Sequence, residues 1–143
     1  MTPFQKLSAV ALVSLCTLTG CGKSKVDQCN SFIGEANKSQ SAFVAISAAM
    51  LNPPSLVPRA EKLEASVKAM EALPLKDAKL DGFRKKYIAY TNTFAKGLRE
   101  LASYGKDPAK NAAREKTAKE LDAVGEKEGK VIEEINGYCS ADK

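Results

Sequence analysis

The 143-residue chain contains no histidine and no tryptophan. Without histidine there is no Ser-His-Asp or Cys-His nucleophilic machinery, no histidine-ligated zinc and no histidine-held haem. Glycines are scattered singly, so no glycine-rich loop is present to cradle a phosphate. Aromatic residues make up only 6% of the chain and do not interleave with basic ones, which argues against a single-stranded nucleic-acid surface. The net charge is only +5, from 22 basic and 17 acidic residues, and both signs are spread along the chain. That pattern fits a solvated helical surface better than a nucleic-acid footprint. No cofactor, metal centre or catalytic constellation is expected.

Charge is also missing from one stretch near the start. Lys6 is followed by Leu7 to Leu18 without a charged residue. A short cationic end before an apolar segment of roughly 7–15 residues is the layout of an export signal. The segment falls short of the roughly 20 apolar residues that span a bilayer.

The segment runs into Leu18-Thr19-Gly20-Cys21. These four residues resemble the lipobox of bacterial lipoproteins. The resemblance implies cleavage after Gly20 and a diacylglycerol thioether on Cys21. The expected organisation is a leader over 1–20, a lipidated tether over 21–24 and a helical domain over 25–143. The membrane is then the first partner, reached through the lipid on Cys21, and two acyl chains anchor stably where one does not. Gly22 is not the aspartate of enteric-type inner-membrane retention, which favours the outer membrane, facing the periplasm. Lys23 and Ser24 resemble a retention signal of other lineages, so both membranes stay open.

The four cysteines follow from this reading. Cys16 leaves with the leader and Cys21 carries lipid. Cys29 and Cys139 remain in a compartment that permits disulfides. A Cys29–Cys139 bridge is expected, the alternative being two free or intermolecularly paired thiols.

Four helices are read from start and stop signals. The first spans about 25–51, with Ser24 and Asp27 spaced as a capping box and Asn52-Pro53-Pro54 as its stop. Its stripe is Cys29, Ile33, Ala36, Phe43 and Met50, with Gln40 on the same side. The second runs from near Pro58 to Pro74, through Ala60, Leu63, Val67 and Met70. An extended segment over 52–57 is expected to make up for its shortness. The third opens at Asp77 and ends at Tyr104-Gly105, with Leu80, Phe83, Tyr87, Tyr90, Phe94, Leu98 and Leu101 on one face. The fourth opens at Asp107-Pro108 and carries Ala113, Thr117, Leu121, Val124, Glu128, Val131, Ile135 and Tyr138. No strand-like alternation occurs, so the expected fold is an all-α antiparallel four-helix bundle. A Cys29–Cys139 bridge requires the start of helix one beside the end of helix four, which an even number of antiparallel helices provides.

Two polar residues interrupt the stripes, Gln40 and Glu128. Antiparallel pairing from the cysteines brings them level and sets Gly125 opposite Phe43. A turn centred at Tyr104–Pro108 then brings Arg84 near Glu128. A carboxylate leaving water needs a partner, so a Gln40–Arg84–Glu128 layer is expected, either as a ligand site or as a packing contact. The basic run Arg84-Lys85-Lys86 reads as a solvated face, as do Glu64/Lys68, Glu115/Lys119 and Glu126/Lys130, four apart. The tyrosines read as core residues with wet hydroxyls.

The functional expectation is a membrane-tethered, non-enzymatic helical domain that binds an envelope protein or cell-wall component, or serves structurally. The alternative is a small-ligand carrier or carboxylate-dependent enzyme that uses the bundle interior.

Overall fold

The computed structural model describes residues 24–43 and 52–141. The expected leader over 1–20 with Cys16, the expected tether residues Cys21 and Lys23, and the expected continuation of the first helix over 44–51 lie outside the described residues. Among the described residues there are four α-helices: α1 (Lys25–Gln40), α2 (Leu56–Glu71), α3 (Ala78–Tyr104) and α4 (Asn111–Ser140). No strand occurs among the described residues. The protein is an all-α helical bundle with antiparallel neighbours. The helices pack in a ring, α1 on α2, α2 on α3, α3 on α4 and α4 on α1, with the closest packing along α2–α3 and α3–α4.

Local chemistry explains most of the boundaries. Ser24 and Asp27 form the reciprocal capping box that starts α1. Asp77 caps α3, its carboxylate accepting from the amides of Lys79 and Leu80. Gly105 ends α3 at φ 55°, a conformation that favours a residue without a Cβ. Two entries into helices differ from expectation. Residues 53–55 wind into a 3-10 turn and α2 starts at Leu56, so no extended segment spans 52–57. The two prolines hold φ near the helical value, and Pro58 falls in the first turn, where its missing N–H costs nothing. The expected opening of the fourth helix, Pro108–Lys110, is likewise a 3-10 turn, with Asp107 accepting from the Ala109 amide.

Cys29 and Cys139 are bonded, with Cα atoms 5.8 Å apart, and fix the start of α1 beside the end of α4. The core has two apolar halves. Cys29, Phe32, Ala36, Met70, Leu80, Phe83, Tyr87, Val131 and Ile135 fill the half at the disulfide end. Ala42, Leu56, Ala60, Leu63, Phe94, Ala95, Leu98, Leu101, Ala118 and Leu121 fill the other.

The α3–α4 register differs from the turn-centred expectation. Lys86 meets Glu134, the Phe83 ring meets the Tyr138 ring, and Gly97 meets Leu121. The pairing is displaced by about two helical turns. The physical cause is the 3-10 turn over 108–110, which shifts the centre of the connection toward α4. At Gly97 the approach is tight: a Cβ there would lie 2.4 Å from Leu121 Cδ2, and Leu121 is buried.

Two outcomes test this packing. Gly97→Ala should lower stability by about 1–3 kcal/mol through overpacking, even though alanine favours a helix, as measured by urea denaturation. Reduction of Cys29–Cys139, which are 110 residues apart, should cost up to about 4–5 kcal/mol on the chain-entropy model, read by the same denaturation with and without reductant.

Candidate functional site

Each of the three residues of the expected polar layer has a clear position. Gln40 and Glu128 do come level: both line the cleft between α1 and α4, with Ala36, Asn37, Gly129, Ile132 and Glu133 around them. The cleft holds about 250 Å³. A second opening of about 270 Å³ also reaches the pair, past Phe43, Phe94 and Gly125. Phe43 and Gly125 therefore share a wall as expected, although the ring in contact with Gly125 is that of Phe94.

Arg84 does not join them. Its guanidinium hydrogen-bonds the Leu73 carbonyl at 2.9 Å and the Glu71 carbonyl at 3.4 Å, and it pairs with Asp81. It thus satisfies carbonyls that the end of α2 leaves open. The two-turn register shift carries it away from Glu128. Its neighbours in the basic run are also engaged, Lys85 with Asp81 and Lys86 with Glu134. Glu64 bonds Arg99 in a two-pronged pair at 2.7 and 2.8 Å across α2 and α3, where a pairing with Lys68 was expected.

A polar waist does cross the core, built from other residues. The buried face of α1 is Gln28, Cys29, Phe32, Ala36 and Ser39. It is rotated by one residue from the expected stripe, so Ser39 points inward and Gln40 is exposed. Ser39 donates to the Ala36 carbonyl at 2.9 Å and meets the Tyr87 hydroxyl at 2.6 Å. The Tyr87 hydroxyl reaches the same Ala36 carbonyl at 3.4 Å, so either hydroxyl can donate in their contact. The Tyr87 hydroxyl is thus satisfied inside the protein and not by water. Thr91 is buried one turn on and donates to the Tyr87 carbonyl at 2.8 Å, and Ser66 is buried on α2. Burial pushes the Tyr87 phenol above its ordinary value, partly offset by Ser39 and reinforced by the nearby Glu128 charge. Small hydroxyls carry no periodic signal on an apolar stripe, and for that reason the sequence does not single out Ser39 or Ser66.

Glu128 lies at the edge of this waist, half-buried, and burial raises its carboxyl pKa. The arrangement offers a partly dehydrated carboxyl beside a primary amide, a pair suited to a hydrogen-bond donor. Glu133 and Asp122 are the other carboxylates on the two openings. No cluster of three or more potential metal ligands occurs among the described residues.

A larger groove lies between α3 and α4 at the disulfide end. It holds about 700 Å³ and is lined by Lys79, Gly82, Phe83, Lys86, Glu134, Gly137, Tyr138 and Ala141. Tyr138 donates to Asp77 at 2.8 Å, and the Lys25 and Lys79 ammonium groups lie 3.9 and 4.5 Å from its ring centroid. Asp77 is held below the usual carboxylate range, first by the Leu80 amide and then by Tyr138. The sequence pattern marks Tyr138 and Phe83 as stripe residues, but the groove itself depends on the α3–α4 register.

Comparison with protein-family models, with curated proteins and with solved structures finds no match. Function is therefore read from the chemistry of these surfaces.

Two predictions follow from the waist. A carboxyl raised by burial favours the protonated form in the folded state, so the folded chain binds more protons than the unfolded one between pH 4.5 and that raised value. Stability from this group is present below pH 4.5 and is lost as pH rises through the window. Glu128→Gln should therefore be more stable than wild type at pH 7 and no more stable at pH 4, by urea denaturation at both. Tyr87→Phe should cost about 1 kcal/mol, and the loss should shrink in a Ser39→Ala background, which removes the same contact.

Proposed function

We propose that the chain is a lipoprotein of the cell envelope, held at a membrane through Cys21, with a non-enzymatic helical domain that binds a partner or supports structure there. The observation that carries this reading is the Leu18-Thr19-Gly20-Cys21 motif, placed directly after a charge-free apolar stretch. The Cys29–Cys139 disulfide supports it, because such bonds persist in exported proteins and are rare in reducing compartments. It also accounts for the two cysteines outside the leader and tether. No helix among the described residues is long and apolar enough to cross a membrane. A lipid on Cys21 supplies the attachment by other means.

A second reading is favoured by one observation, that open clefts reach Glu128. In that reading the α1–α4 cleft carries a small ligand with hydrogen-bond donors, held by the Glu128 carboxyl and the Gln40 amide. Carboxylate chemistry needs no histidine, so an enzymatic role belongs to this second reading.

Labelling with radioactive palmitate and phase separation in detergent test the first reading. Wild-type protein should take up label and enter the detergent phase, whereas Cys21→Ser should take up none. Equal labelling of the two would refute it.

A further inference from the structure

We propose that the groove between α3 and α4 at the disulfide end takes one anionic phospholipid from the membrane that holds the chain. The proposal deepens the tethered reading and rests on it for the source of the lipid. The shape of the groove is the first reason. Its volume of about 700 Å³ lies within the range of small-molecule sites. Gly82 and Gly137 keep it open: at either position an added Cβ would meet nothing within 4 Å. Glycine is the poorest helix former after proline, yet Gly82 and Gly137 sit inside the two helices that form the walls, which also carry Gly97, Gly125 and Gly129. Phe83 and Tyr138 provide an aromatic floor, with ring centroids 6.0 Å apart.

Charge is the second reason. Lys79 and Lys86 lie seven residues apart on one face of α3, and Lys25 reaches the Tyr138 ring from α1. The acid among the lining residues, Glu134, faces Lys86 at 3.4 Å in a pair more than half exposed on both sides. Asp77 is engaged by the first amides of α3 and by the Tyr138 hydroxyl. An apolar floor with a cationic rim complements an acyl-glycerol body and its phosphate. Lysine stems cover apolar surface while their ammonium groups reach headgroup level, where tyrosine also sits well.

Position is the third reason. Ser24 caps α1 at this same end, and Cys21 precedes Ser24 by three residues in the sequence, a chain length of at most about 10 Å. Val26, half exposed, is on the first turn of α1. A tether this short holds the groove within the lipid's own layer, at high effective concentration.

Native mass spectrometry of the full-chain protein purified from membranes tests the proposal, with added phosphatidylglycerol or phosphatidylcholine as probes. One phosphatidylglycerol should bind at about twenty-five-fold lower concentration than phosphatidylcholine. Lys79→Glu/Lys86→Glu should erase that preference, since each lysine contributes roughly five-fold toward an anionic lipid. Gly82→Leu/Gly137→Leu fills the groove without touching the core. It should abolish the adduct while the thermal midpoint holds or rises. Equal binding of both lipids, an adduct that survives groove filling, or a second copy of the chain occupying the face would each overturn the proposal. The same spectra read the mass at Cys21. An acylated chain without lipid preference therefore refutes the groove and keeps the tether, and an unacylated chain that still prefers phosphatidylglycerol refutes the tether and keeps the groove.

Discussion

The bond between Cys29 and Cys139 sets the frame of this protein. It joins the first turn of α1 to the last of α4, so the chain forms a closed ring of helices and α1 is held by more than its own packing. That help matters, because α1 has 16 residues and packs less extensively than the α2–α3 and α3–α4 pairs do. A helix of that length is marginal in isolation. Cross-linking its start also fixes its height against α4, and so brings Gln40 level with Glu128 and Phe43 level with Gly125. The α1–α4 seam is packed at the disulfide end by Cys29, Phe32, Val131 and Ile135, and its clefts open farther along, at Gln40 and Glu128.

Between the two apolar halves, a ring of hydroxyls from α1, α2 and α3 meets a carboxyl from α4. Ser39, Ser66, Tyr87 and Thr91 are buried, whereas Glu128 keeps one side toward the cleft. A contact such as Ser39–Tyr87 adds little net stability, but leaving the phenol without it would be costly. Its role is to fix which height of α1 faces which height of α3. The two clefts that reach Glu128 open on the α1–α4 side of this waist. The aromatic groove on the α3–α4 side is built differently, from two glycines and two rings at the disulfide end.

Much of the fold could be read from residue spacing. The α3 stripe from Leu80 to Leu101 and the Ser24/Asp27 capping box state their own geometry, and the cysteines state which ends meet. The rest escaped for physical reasons. Phe32 and Ile33 are adjacent and both apolar, so the stripe of α1 could be drawn through either. A stripe drawn through Ile33 turns Gln40 inward and leaves Ser39 out, whereas the buried face runs through Phe32 and Ser39. Arg84 was misplaced because a 3-10 turn of three residues moves the α3–α4 register by two turns, and no single residue in the connection reveals that. The groove depends on the corrected register and on glycines whose role is visible only once nothing is found beside them.

The central claim joins an acylated Cys21 to a bundle closed by Cys29 and Cys139. Peptide mapping by mass spectrometry, without reduction, of the protein isolated from its native envelope tests both parts directly. The account predicts a chain that begins at an acylated Cys21 and one cross-linked peptide pair containing residues 29 and 139. A chain that retains residues 1–20 with a free thiol at position 21, or either of the other two cysteines bonded to a different molecule, would contradict it.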